Sequence, residues 1–190
     1  IMGVLEMPFM YDSHQHVYAV VDGEIGQELN GQLLDKTGIR IIGYWMNLYR
    51  HTTNNVRPIN TPEDFKGLNI RVPETKTVMD TISNLGANAV PMAVGELYTG
   101  LSQGSVDGQE NPLSNIEASK FYEVQKYLSL CSYIYNSSFL VFNPDIWAAY
   151  PEDIKQAIIK CANEARDYER KYNFEFCQGS EGRLKEHGMQ

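Results

Sequence analysis

An arginine inside the run "NIRVP" is the first residue whose chemistry demands an explanation. Arg71 stands between Ile70 and Val72, in a segment that reads as a strand covered on both faces. A guanidinium is costly to bury without an anion, so a residue of this type at this place implies one. Pro73 closes the strand, putting Arg71 at a C-terminal strand edge, where pockets of open α/β sheets form. The alternatives are an internal salt bridge or a charge that snorkels to the surface. Arg50 ends another strand-like run, "LYRHTTN", followed by Asn54 and Asn55. Two arginines at two strand edges suggest a carboxylate site, because the planar fork of arginine matches a carboxylate through two parallel hydrogen bonds. The stretch "VDGQENP" adds Asn111, an amide able to meet a ligand oxygen, in what reads as a short strand running into a loop shaped by Gly108 and Pro112. An ordinary turn is the other reading of that stretch.

Other chemistries find less support. "DSHQH" holds Asp12, His14 and His16, but histidines two apart on a helix point to different faces and do not converge on one ion. Capping of a helix is the better reading there. Asp107 and Glu110 share one short turn, with nothing nearby to mark either as buried. No G-x-S-x-G, phosphate-cradling glycine loop or cysteine in an electropositive loop occurs, and neither a metal nor a cofactor site is indicated. The chemistry expected is binding, not catalysis.

The elements that must hold these residues alternate. A helix is expected over 14–36, with Asp12 or Ser13 as its N-cap and Gly38 as its stop. "GIRIIGYWMNLYRHTTN" reads as a long strand, and "NTPEDFKGL" as a compact helical start capped by Thr61. "LNIRVP", "TKTVMDTISNLG", "ANAVPMA", "VGELYTGLSQG" and "SVDGQEN" then read strand, helix, strand, helix, strand, which predicts a parallel sheet. Beyond Pro151, Ile154, Ile158, Cys161, Ala165, Tyr168 and Tyr172 recur at helical spacing and predict one helix over 151–178. On that helix Cys161 and Cys177 would stand about 24 Å apart, too far to bridge.

Composition bounds the partners. The 190 residues are 43% hydrophobic and carry a net charge of −8, which disfavours a nucleic-acid backbone. Apolar runs fall short of the roughly 20 residues that span a bilayer. The opening "IMGVLEMPFMYD" has no basic stretch with a cleavage site, so compartment is not legible there.

The runs "RPINTPEDFKGLNIRVPE", "LGANAVPMAVGELYTGLSQGSVDGQENP" and "KFYEVQKYL", supported by "LEMPFMY" and "GYWMNLYRHTTN", resemble the DctP-type solute-binding proteins of tripartite ATP-independent periplasmic (TRAP) transporters. The resemblance covers nearly the whole chain. It implies a two-lobed α/β fold of the periplasmic-binding-protein type with hinge strands. Family residues before and after this stretch are expected outside it, which leaves the first lobe incomplete. Residues 1–47 and 137–176 would form part of lobe I, residues 48–136 lobe II with the carboxylate site, and the 151–178 helix would brace both. The family captures small organic anions outside the cytoplasmic membrane, in a periplasm or tethered by lipid, and delivers them to membrane permease subunits. Carried onto this chain, the resemblance makes Arg71 the main carboxylate receptor, Arg50 a helper and Asn111 a contact to the same carboxylate. Asn47, Glu74, Val94, Tyr133 and Asn136 fall where contacts vary with the ligand, and an acidic Glu74 favours a ligand with hydroxyls or an amine, as in sugar acids. Val94 replaces a larger residue usual in the family, and Leu48 stands where glycine is frequent. The runner-up is the effector-binding domain of a transcription regulator with the same fold, and a pocket enzyme comes third.

Overall fold

The computed structural model describes residues 2–190. After a short 3-10 turn, Met2–Glu6, the helices α1 (His14–Asp22) and α2 (Glu24–Thr37) lead into the long strand β1 (Arg40–Asn54). A second 3-10 turn, Pro62–Phe65, precedes β2 (Asn69–Val72), α3 (Lys76–Asn84), β3 (Asn88–Pro91), α4 (Val94–Ser102) and β4 (Gly108–Pro112). Then come α5 (Leu113–Ala118), a 3-10 turn at Phe121–Glu123, β5 (Tyr127–Ser129), β6 (Tyr135–Phe142), α6 (Pro144–Ala149) and α7 (Glu152–Glu186). Among the described residues no helix is long and apolar enough to cross a membrane.

The sheet runs β3-β2-β4-β1-β5, with β6 paired to β1. β2 is parallel to both β3 and β4, as the strand–helix alternation predicts. β1 is antiparallel to β4 and β5, so the sheet as a whole is mixed. Two apolar clusters flank the parallel strands. One gathers Phe65, Leu68, Ile70, Val72, Val78 and Ile82, and the other Leu97, Leu101, Val106, Ile116, Phe121 and Leu184.

The chain divides into two compact units. One comprises Ile1–Leu48 and Asn136–Glu175, the other Tyr49–Tyr135 and Phe176–Gln190. Leu48, the last residue of its segment, has φ +65°, a left-handed conformation that costs a side-chain-bearing residue about 1–2 kcal/mol. That is the physical reason glycine suits this position.

Two expected elements differ. The single helix over 14–36 is two helices, because the chain turns at Gly23 and brings Gly26 so close to α1 that a Cβ there would lie 1.9 Å from the Val21 carbonyl oxygen. Ser13 is the N-cap, its Oγ accepting from the His16 N–H. The last helix extends to Glu186, past the 178 expected. Its apolar stripe is less covered than its periodicity implied: Ile154, Tyr168 and Tyr172 are exposed, and Ile154, Ile158, Cys161 and Ala165 line an apolar groove of about 440 Å3 with Trp45, Leu140 and Phe142.

Candidate functional site

The site is assembled by the register of β2, β4 and β1 in the second unit. Arg71 is the penultimate residue of β2 and lies opposite Val90 of β3 and Gln109 of β4. It is only 4% exposed. Its Nε and Nη2 donate to the Met92 carbonyl oxygen at 2.8 and 2.5 Å. Among the described residues no carboxylate comes within 4.0 Å of it. Burial lowers the Arg71 pKa from its usual value, Glu110 opposes that lowering and Arg50 adds to it.

Arg50 does not end its strand as expected: it is followed by four more residues of β1 and lies opposite Pro112 of β4. It forms the internal salt bridge that had been an alternative for Arg71. Its Nε donates to Glu110 Oε2, and its Nη2 donates to Glu110 Oε1 and to the Glu110 carbonyl oxygen, both at 2.8 Å. Glu110 is fully buried. Tyr133 Oη donates to Glu110 Oε2 at 3.1 Å, and burial above all, with the Glu110 charge, pushes the Tyr133 phenol well above its usual pKa. Two guanidiniums and one carboxylate leave this cluster with a single uncompensated positive charge.

Of the "VDGQENP" stretch only Val106 and Asp107 lie outside a strand, so the expected strand runs through what was read as loop. Gly108–Pro112 is a strand with all five residues buried. Its polar side chains escape the usual cost of burial by bonding to one another and to β1. Asn115 Nδ2 donates to Asn111 Oδ1 at 3.4 Å, Asn111 Nδ2 to Gln109 Oε1 at 2.5 Å, Gln109 Nε2 to Thr53 Oγ1 at 2.9 Å, and Thr53 Oγ1 to Gln125 Oε1 at 2.8 Å. Gln125 Nε2 ends the relay on the Val124 and Asp107 carbonyl oxygens, at 3.1 and 3.4 Å. A backbone carbonyl can only accept, so it orients every amide in the series. Asn111 Oδ1 also lies 3.5 Å from Arg50 Nη2.

The remaining expected residues are spread more widely. Glu74 is exposed between β2 and α3. Val94 opens α4 at 68% exposure, two residues after the Met92 carbonyl that Arg71 grips. Asn47 and Asn136 belong to the other unit, where Asn47 Nδ2 donates to Asn136 Oδ1 at 3.3 Å and to Ser138 Oγ at 3.0 Å. Asn136 Nδ2 donates to Glu6 Oε1 at 2.8 Å. The residue that sequence reasoning missed is Glu110, which was expected to share an unburied turn with Asp107. Instead Asp107 accepts from the Asn69 N–H at 2.7 Å, while Glu110 binds Arg50. Two arginines and an acid in buried strands were the signal available.

A buried guanidinium near the end of β2 stands beside a strand whose amides are oriented by a relay of hydrogen bonds. The chain belongs to the bacterial extracellular solute-binding protein family 7 (DctP), whose model matches residues 1–190. It is 35% identical over 190 residues to the 2,3-diketo-L-gulonate-binding periplasmic protein YiaO of Escherichia coli, covering all of this chain and 58% of that one. A TRAP periplasmic solute-binding protein from Polaromonas sp. JS666, bound to D-erythronate, superposes with a TM-score of 0.95 at 37% identity, over 99% of this chain and 62% of that one. Another from Roseobacter denitrificans, with bound L-galactonate, gives a TM-score of 0.93 at 35% identity, over 98% and 62%. The chain thus spans about three-fifths of the length of these relatives. The family consists of binding proteins, and its TRAP members are periplasmic.

Proposed function

We propose that this chain is the ligand-capturing part of an extracytoplasmic solute-binding protein that takes up a small organic acid, in the sugar-acid class, and hands it to TRAP permease subunits. It binds without turnover. The observation that carries this reading is Arg71, a buried guanidinium held by one carbonyl oxygen with no carboxylate in reach. Its remaining N–H donors supply the fork that a ligand carboxylate completes, and water exclusion around the pair strengthens it. Asn111 adds a contact to the same carboxylate. Arg50 supports through its charge and its hold on Glu110, and Tyr133 through the same carboxylate. Glu74 and Val94 contact the rest of the ligand. The D-erythronate and L-galactonate held by relatives are acids of this class.

Calorimetric titration with a panel of sugar acids, dicarboxylates and 2-oxo acids tests the reading. Replacing Arg71 by Ala should weaken binding of the preferred acid more than a hundredfold, about 3 kcal/mol, because the ligand anion is left without its partner. Arg71→Lys should lose at least about tenfold, since an ammonium keeps the charge but not the fork. Undiminished affinity in Arg71→Ala would sink the assignment.

A further inference from the structure

The charge balance around Arg71 goes further than a carboxylate site, although it rests on the carboxylate reading of that residue. We infer that the site selects monoanions, acids with one carboxylate and otherwise uncharged polar groups, and that Glu110 sets this preference by neutralising Arg50. Both Glu110 oxygens accept from Arg50, and one also accepts from Tyr133. The Arg50 charge is therefore matched inside the protein before any ligand arrives. Arg71 is left as the one guanidinium of the pair without a carboxylate.

Among the described residues, the groups next to these in the chain or bonded to them supply no second free cation. His51 follows Arg50 on β1, and burial lowers its pKa to about 4, so it is uncharged at neutral pH. Tyr133 stays a neutral phenol. Lys76, the next cation along the chain from Arg71, is exposed and bonds to Asp80 at 2.7 Å. A second ligand carboxylate brought to this cluster meets the Glu110 charge and an arginine already paired with it. A hydroxyl in its place meets no such repulsion. The asymmetry is electrostatic, so it should separate ligands that match in every atom but the second charge.

Three matched pairs test this by titration calorimetry at neutral pH: galactonate with galactarate, erythronate with meso-tartrate, and 4-hydroxybutyrate with succinate. In each pair a terminal CH2OH becomes a carboxylate. For the pair that binds best, the wild-type protein should hold the monoanion at least about tenfold tighter. Glu110→Gln removes the carboxylate charge that Arg50 pairs with and should move the ratio toward the dianion by a similar factor. A wild-type dianion that binds as tightly as its monoanion overturns the inference, needs no variant, and leaves the carboxylate reading of Arg71 standing. An unchanged ratio in a folded Glu110→Gln variant removes Glu110 from the role. If none of the six acids binds, the inference fails together with the sugar-acid reading beneath it.

Discussion

A buried cation and a buried neutral base sit side by side on β1, and they respond to pH in different ways. Arg50 is charged and paired, whereas His51 is kept uncharged mainly by burial, with Glu181 opposing the shift and the Ser132 N–H donating to its Nδ1 at 3.4 Å. A native pKa of about 4 lies below the unfolded value of about 6.5. The unfolded chain then binds the proton first as the pH falls. Stability supplied by the neutral imidazole is full above about pH 6.5 and is lost on the way down to about 4. By pH 5 the loss is about 2 kcal/mol. His51→Asn keeps an acceptor toward Ser132 and removes the titration, so its melting temperature should fall less than wild type between pH 7 and 5. Parallel falls in the two proteins would count against it. At this scale Arg71 was legible, because an arginine breaks the apolar pattern of a covered strand. The Arg50–Glu110 pair was not, because antiparallel register joins residues 60 apart in the chain and no local spacing announces it.

Elements were legible where burial follows hydrophobic period, as in β1, β2, α3 and α4. β4 was only half so, since its buried residues are glycine, amides, an acid and proline, which read as a loop. Its polar groups are matched by tertiary partners that a pattern rule does not see. The same close fit makes β4 fragile. Gly108 lies opposite Asn54, and a Cβ there would come 2.1 Å from the Thr53 carbonyl oxygen and 2.8 Å from Asn54 Cβ. Neither can withdraw without opening the β1–β4 ladder that aligns Arg50 with Glu110. Gly108→Ala should therefore lower the urea midpoint by an equivalent of about 3 kcal/mol. Gly95→Ala is the control. Nothing lies within 4 Å of a Cβ at that helical position, so the midpoint should hold or rise. Equal behaviour of the two variants would mean that the ladder yields more easily than its geometry implies. The break between α1 and α2 escaped the sequence for a related reason: an isolated glycine is tolerated within a helix, and only the packing of Gly26 on Val21 shows the chain turning.

For the molecule as a whole, the unit holding Arg71 is completed by residues far away in the chain. Phe176–Gln190 folds with Tyr49–Tyr135, and Leu184 and Met189 enter the cluster of Leu97, Leu101, Val106, Ile116 and Phe121. Arg183 Nε and Nη2 donate to the two Glu117 carboxylate oxygens at 2.6 and 2.9 Å. Gln190 exchanges backbone hydrogen bonds with Lys126 and Leu128 at 2.9 and 2.8 Å. The sequence hid this, because "GSEGRLKEHGMQ" has two glycines in helix and only one buried leucine, too little period to extend a helix past 178. Leu184 is fully buried, and Leu184→Ala should cost about 2–5 kcal/mol in lost transfer energy and residual cavity. At about 3 kcal/mol the melting temperature falls by about 6–12 °C for a chain of this size. Leu184 packs in an apolar cluster that contains none of the proposed ligand-binding residues, so the loss should fall on folding. A ligand that binds only the folded state at 100 times its Kd supplies about 2.7 kcal/mol. Saturating acid should then restore most of the melting temperature in Leu184→Ala, and little of it in the double variant with Arg71→Ala. Equal rescue in both would show that the acid binds somewhere other than Arg71.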